Sequence, residues 1–91
     1  MAKYVIRAKR IKDIFGNSLS DEDQCWDYAQ NDSRCLCPSF ADESLAFKFS
    51  SITEAKKWYS DAKIYLKDDK HDWSTVAICE LTCTVVEKLE V

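Results

Sequence analysis

The 91-residue sequence contains very little glycine, proline or histidine: Gly16, Pro38 and His71 are the only residues of their types. A single glycine excludes the glycine-rich loops that bind nucleotide phosphates, both the P-loop and the dinucleotide fingerprint. A single histidine leaves one candidate base for a thiol nucleophile, and no residue stands out that would orient it. We therefore expect a protein that is not an enzyme and that binds no cofactor.

Long hydrophobic runs are also missing from the sequence. No stretch approaches the roughly 20 apolar residues of a transmembrane helix, and the N-terminal residues MAKYVIRAKRIKDIF are too polar for a secretory signal peptide. The odd number of cysteines, five, agrees with reduced thiols rather than with a disulfide framework. The sequence thus predicts a cytoplasmic protein with no membrane partner.

The residues that are present indicate one globular domain over 1–91, with 46% hydrophobic and 12% aromatic side chains. A chain of this length has room for one core. Its net charge of −3 is unevenly distributed, because residues 1–11 carry +4, residues 12–44 carry −6 and residues 45–91 carry −1. An acidic segment of this kind attracts basic protein surfaces and repels nucleic acid.

Two elements have clear sequence signals. Alternation of apolar and polar residues predicts a first strand over 3–10, and the segment SITE is a capping box with Ser51 as its N-cap. Behind this cap, apolar residues at helical spacing predict an amphipathic helix of about four turns: Ala55, Trp58, Tyr59, Ala62 and Leu66.

Other segments are predicted to form strands. Leu45, Phe47 and Phe49 alternate in a short strand, and CWDYA and RCLCPSF flank a turn-prone QNDS as an irregular hairpin. The C-terminal segment is typical of one long strand whose buried face includes Ala77, Cys79, Leu81 and Cys83. The sequence therefore predicts an α+β fold: a small antiparallel sheet of three to four strands, with the helix on one face and residues 12–44 as an insertion.

We expect the acidic insertion to be a protein-binding surface. Trp26 and Tyr28 would anchor the partner, because aromatic side chains bury a large area at low entropic cost. Carboxylates around them would steer a protein with a basic surface toward the site: Asp21, Glu22, Asp23, Asp27, Asp32, Asp42 and Glu43. An exposed edge of the last strand would also permit a homodimer.

Two other interpretations remain open. Cys25, Cys35 and Cys37 could form a zinc- or thiol-based module with His71 or an acidic residue as a fourth ligand, although no C-x₂-C spacing is present. Alternatively, the basic residues of the first strand could bind nucleic acid with help from Trp26 and Tyr28: Lys3, Arg7, Lys9, Arg10 and Lys12. The acidic overall charge argues against the second alternative. In the charged KDDKHD segment, His71 is expected to be a solvated surface residue.

The KYVIR strand and the segment FKFSSITEAKKWY, in which a strand runs into a capped helix, resemble small proteins encoded by bacteriophages and prophages. The resemblance covers the first strand and residues 47–91, and it does not include residues 12–44. It implies a role in host interaction, such as anti-CRISPR-like inhibition of a host defence nuclease complex. It supplies no catalytic residues.

Overall fold

A computed structural model of the protein describes residues 3–13, 15–30, 39–66, 69–80 and 85–89. The elements in chain order are β1 Tyr4–Arg10, β2 Cys25–Gln30, β3 Ser39–Ala41, a 3₁₀ helix Glu43–Leu45, α1 Ile52–Ala62, β4 His71–Glu80 and β5 Val85–Lys88. The predicted first strand is confirmed. β2 and β3 pair antiparallel, as expected for the two arms of the predicted hairpin, but residues 31–38 of its turn and second arm lie outside the described residues.

The strands form one antiparallel sheet in the order β3-β2-β1-β4-β5. The α+β class is therefore confirmed, but the described residues contain five strands rather than three or four. In the centre of the sheet, Ile6 lies opposite Ile78 and Ala8 lies opposite Asp27. Arg10 lies opposite Cys25 on one side and His71 on the other, so these three residues meet at one end of the sheet.

The C-terminal segment was predicted to be one long strand, but its described part contains two strands. β4 ends at Glu80, and β5 pairs back on it with Ala77 opposite Lys88. Val76 and Ile78 face the core under α1, whereas Cys79 belongs to a cluster on the other face of the sheet. The alternation of apolar and polar residues places Cys79 on the wrong face of the sheet, because both faces of β4 are buried and both carry apolar side chains. Leu81 and Cys83 lie outside the described residues.

The helix begins where its capping box predicts. Ser51 Oγ accepts a hydrogen bond of 3.1 Å from the Glu54 amide, and the Glu54 carboxylate accepts from the backbone and hydroxyl of Ser50. The helix ends at Ala62 with Lys63 as C-cap, about one turn earlier than predicted. Leu66 nevertheless stays buried, because the chain turns back toward the core after the helix.

The main core lies between α1 and one face of the sheet. The helix contributes Ala55, Tyr59 and Ala62, which pack over the strands with Phe49. Phe47 and Phe49 share this face as predicted, but they lie outside the named strands, in a segment that pairs with β1 through an isolated bridge between Tyr4 and Phe49. Leu45 belongs to the 3₁₀ helix and is exposed.

The opposite face of the sheet, which we call the open face, carries a smaller apolar cluster. Val5, Tyr28 and Cys79 are buried there, and Trp26 and Ala46 pack against them. This face of β1 is therefore only partly exposed to water. This leaves two places for a site, the open face and the loops at the ends of the sheet.

Candidate functional site

Eight of the nine residues predicted to form one partner surface are described, and they do not lie together. Asp21, Glu22 and Asp23 are exposed on a turn before β2, and Asp42 and Glu43 are exposed at the start of the 3₁₀ helix. Trp26 is half-buried on the open face, and Asp27 and Tyr28 are buried. Asp32 lies outside the described residues.

Asp27 and Tyr28 must be removed from the predicted surface. Asp27 is 3% exposed and Tyr28 is 8% exposed, because both lie in the middle of β2. Alternation along the strand turns Asp27 toward the core under α1 and Tyr28 toward the cluster on the open face. Neither side chain is positioned to steer or anchor a partner.

Asp27 instead forms the centre of a buried charged cluster. Its Oδ2 atom lies 3.0 Å from Arg10 Nη1 and 2.7 Å from His71 Nε2. The register of the sheet creates this cluster, since Arg10 is opposite His71 and Asp27 lies on the neighbouring strand. Arg10 Nη1 and His71 Nε2 thus contact the same carboxylate oxygen.

His71 is buried, so the prediction that it is a solvated loop residue is wrong. It is the first residue of β4 and is 7% exposed, with its ring centroid 5.1 Å from that of Trp73 and 6.0 Å from that of Phe40. Cys25 is exposed and lies two strands away from His71, so their Cα atoms are about 9–10 Å apart. This geometry favours a structural role for the cluster rather than activation of the thiol by His71.

The residues of the alternative zinc module fall in different environments. Cys25 is exposed at the start of β2, and His71 Nε2 is bonded to Asp27. Among the residues that the structure describes, no three His, Cys, Asp or Glu side chains are grouped to hold a metal ion. Cys35 and Cys37 are outside the described residues, so the proposed set of ligands stays a prediction.

The basic residues of β1 and the following loop are not arranged as one row. Arg10 points to Asp27, and Lys12 Nζ lies 3.2 Å from Asp69 Oδ2, a contact that lowers the pKa of Asp69. On the open face, the guanidinium carbon of Arg7 lies 3.9 Å from the Trp26 ring centroid, in cation–π contact. A stacked arginine covers the aromatic face that a nucleic-acid base would need.

The most exposed large apolar side chain among the described residues is Phe15, at 82%. It sits on a tight loop, which we call the Phe15 loop and which is described at Asp13 and residues 15–17. Asp13 Oδ1 accepts hydrogen bonds from the amides of Phe15 (2.8 Å) and Asn17 (2.9 Å). Gly16 adopts a φ of 84°, which glycine tolerates without strain. The loop therefore holds Phe15 out in solvent on a backbone with defined hydrogen bonds.

Carboxylates are concentrated next to this loop. The chain returns from it alongside the end of β1, where the Leu19 amide donates to the Ile11 carbonyl at 2.8 Å, and then makes the turn that carries Asp21, Glu22 and Asp23. Residues 13–24, which we call the acidic end, contain four carboxylates and no basic residue. The sequence marks this segment as a surface loop, but Phe15 gives only a weak signal: one aromatic residue before a Gly-Asn turn.

The Phe15 loop should respond to acid. The pKa of Asp13 is lowered from its ordinary value of 3.8, chiefly by the hydrogen bond from the Asn17 backbone. A lowered pKa means that the carboxylate stabilises the loop fully above pH 3.8 and that this contribution is lost as the pH falls through the lowered value. In an NMR titration, the Phe15 and Asn17 amide protons should shift together with a midpoint below 3.8. Asp13→Asn should abolish the transition, and a midpoint at or above 3.8 would contradict this role.

Comparison of the chain with protein-family models found no match, and searches of curated proteins and of solved structures found no significant match either. Within the described ranges, no helix has both the length and the apolar character needed to cross a membrane. A functional interpretation therefore depends on the geometry of the chain itself.

Proposed function

We propose that the protein is a non-enzymatic binding module that docks through its acidic end, residues 13–24, onto a protein with a basic surface. The observation that carries this proposal is the exposure of Phe15 on a loop held by the Asp13 carboxylate. Isolated apolar side chains on a surface are common. Phe15 differs from them because its loop is fixed and because carboxylates lie beside it.

The two features have separate roles in binding. Burial of the Phe15 ring in an apolar pocket of the partner would supply about 2–3 kcal/mol. Because the loop is already ordered by its hydrogen bonds, little conformational entropy is lost when it docks. The carboxylates of Asp21, Glu22 and Asp23 would raise the rate of encounter with a basic surface.

A host defence nuclease complex is the specific partner that we propose. A nuclease needs a basic groove because nucleic acids bind mainly through their phosphates. An acidic surface can occupy such a groove and exclude the nucleic acid. The resemblance of the β1 and α1 regions to phage proteins favours a partner of this kind, and the acidic end supplies the complementary charge.

The proposal is tested by affinity capture from host lysate, followed by binding measurements with the purified partner. Raising the salt concentration from about 50 mM to about 500 mM shortens the Debye length several-fold. The association rate should therefore fall at least tenfold while the dissociation rate changes little. Replacement of Asp21, Glu22 and Asp23 by their amides should reduce the rate at low salt and remove most of its salt dependence. An association rate that is insensitive to salt would overturn the electrostatic part of the proposal.

A further inference from the structure

The open face contains a pocket of about 240 Å³. Its apolar lining includes Ala46 and one residue from each of three neighbouring strands: Val5 on β1, Tyr28 on β2 and Cys79 on β4. The three strand residues are at most 8% exposed, so this part of the pocket is held in place by the packing of the sheet. The volume is below the range of about 300–1,000 Å³ that is typical for drug-sized ligands. The pocket therefore suits a small molecule with an apolar body.

Arg7 also lines this pocket, and one of its hydrogen-bond donors, Nε, is unsatisfied. The Nε atom is buried, and it has no hydrogen-bond partner among the described residues. A buried donor without an acceptor costs about 1–3 kcal/mol, and such groups in native proteins commonly mark a site for a missing water, ion or ligand. The stacking on Trp26 fixes the plane of the guanidinium but satisfies none of its N–H groups.

Other charged residues at the pocket narrow the ligand class. Lys48, Glu43 and Glu80 also line it, and within the described part of the chain none of them forms an ion pair with Arg7 or with another of the three. Arg7 and Lys48 favour an anionic group, and the planar fork of arginine matches a carboxylate. The two glutamates disfavour ligands with several negative charges, such as phosphates.

We propose that the open-face pocket binds a small monocarboxylate with a short branched or linear hydrocarbon chain. The hydrocarbon chain would lie against Val5, Tyr28 and Cys79, and the carboxylate would accept hydrogen bonds from the Arg7 guanidinium. This inference does not rest on the proposed docking function, since none of the pocket residues belongs to the acidic end.

The test uses three compounds that share one hydrocarbon skeleton: 4-methylpentanoate, leucine and 3-methylbutylamine. Each is titrated into ¹⁵N-labelled protein while the Arg7 Nε–H signal and the Val5 and Cys79 amides are followed. We expect 4-methylpentanoate to shift these signals with a dissociation constant of about 1 mM, as befits a ligand of this size. The amine should bind at least tenfold more weakly. Stronger binding of leucine than of 4-methylpentanoate would extend the class to zwitterions held by the glutamates, and would still support the carboxylate contact.

Substitutions distinguish binding in this pocket from non-specific binding elsewhere on the sheet. Arg7→Met should weaken 4-methylpentanoate at least tenfold, whereas Lys9→Met, which removes a neighbouring cation outside the pocket, should change its affinity less than twofold. If Arg7→Met does not fold, Lys48→Met provides the second variant, with an expected loss of about threefold. No shift of the Arg7 Nε–H signal with 4-methylpentanoate, or equal binding of the amine, would overturn the proposal.

Discussion

Replacing Asp27 with alanine should lower the free energy of unfolding by about 3–5 kcal/mol, the range observed when one partner of a buried ion pair is removed. The variant would leave Arg10 and His71 without the carboxylate oxygen that both now contact at 3.0 Å or less. A domain of this size has a total stability of only about 5–14 kcal/mol. The melting temperature should therefore fall on the order of 20 °C.

Two control variants distinguish loss of the cluster from loss of any acidic residue. Asp27→Asn keeps the size of the side chain and an acceptor oxygen but removes its charge, so it should destabilise the protein less than alanine does. Glu22→Ala removes an exposed carboxylate nearby in sequence and should change the stability by less than about 0.5 kcal/mol. Thermal and urea unfolding measure all three variants. A loss for Asp27→Ala below about 1 kcal/mol would show that the cluster does not hold the end of the sheet together.

Replacing Phe15 with alanine should weaken binding of the partner at least about 30-fold, which corresponds to about 2 kcal/mol. The change removes the large apolar ring that projects into solvent from the described part of the acidic end. It should leave the stability of the free protein almost unchanged, because Phe15 is 82% exposed and contributes little to the core. The expected effect is therefore a loss of affinity without a loss of folding.

Tyr65→Ala is the matched control for this variant. Tyr65 is another exposed aromatic residue, 64% exposed, but it follows α1 and lies outside the acidic end. Its replacement should change the affinity less than twofold. Equal losses for the two variants would indicate non-specific hydrophobic contact, and full affinity of Phe15→Ala would remove Phe15 as the anchor.

The sequence predicts those parts of the fold in which local signals and tertiary packing agree. β1 is an example, because Ile6 and Ala8 alternate with polar residues and the same face packs under α1. The start of α1 is another, since the capping interaction of Ser51 with the Glu54 amide depends only on residues close in the chain. These signals were sufficient to predict the α+β class.

Prediction failed where the outcome depended on which strands become neighbours. The burial of Asp27 and His71 follows from the pairing of β1 with both β2 and β4, and no local pattern reveals that pairing. The sequence does not predict the division of the C-terminal segment into β4 and β5. β4 carries apolar residues on both faces, so the alternation of apolar and polar residues does not locate its end. For the candidate site, the acidic segment was evident in sequence, but its anchor was not. The sequence predicts Trp26 as the aromatic anchor, whereas the stacking of Arg7 on its ring depends on the register of β1 and β2.

The most direct measurement of the proposed docking surface is an NMR map of ¹⁵N-labelled protein with and without the purified partner. We expect the largest amide changes at Phe15, Gly16 and Asn17 and at the turn that carries Asp21, Glu22 and Asp23. Signals from Tyr65 and from the open face around Trp26 should stay close to their positions in the free protein. Changes confined to either of those regions, with the acidic end unaffected, would contradict docking through Phe15 and its neighbouring carboxylates.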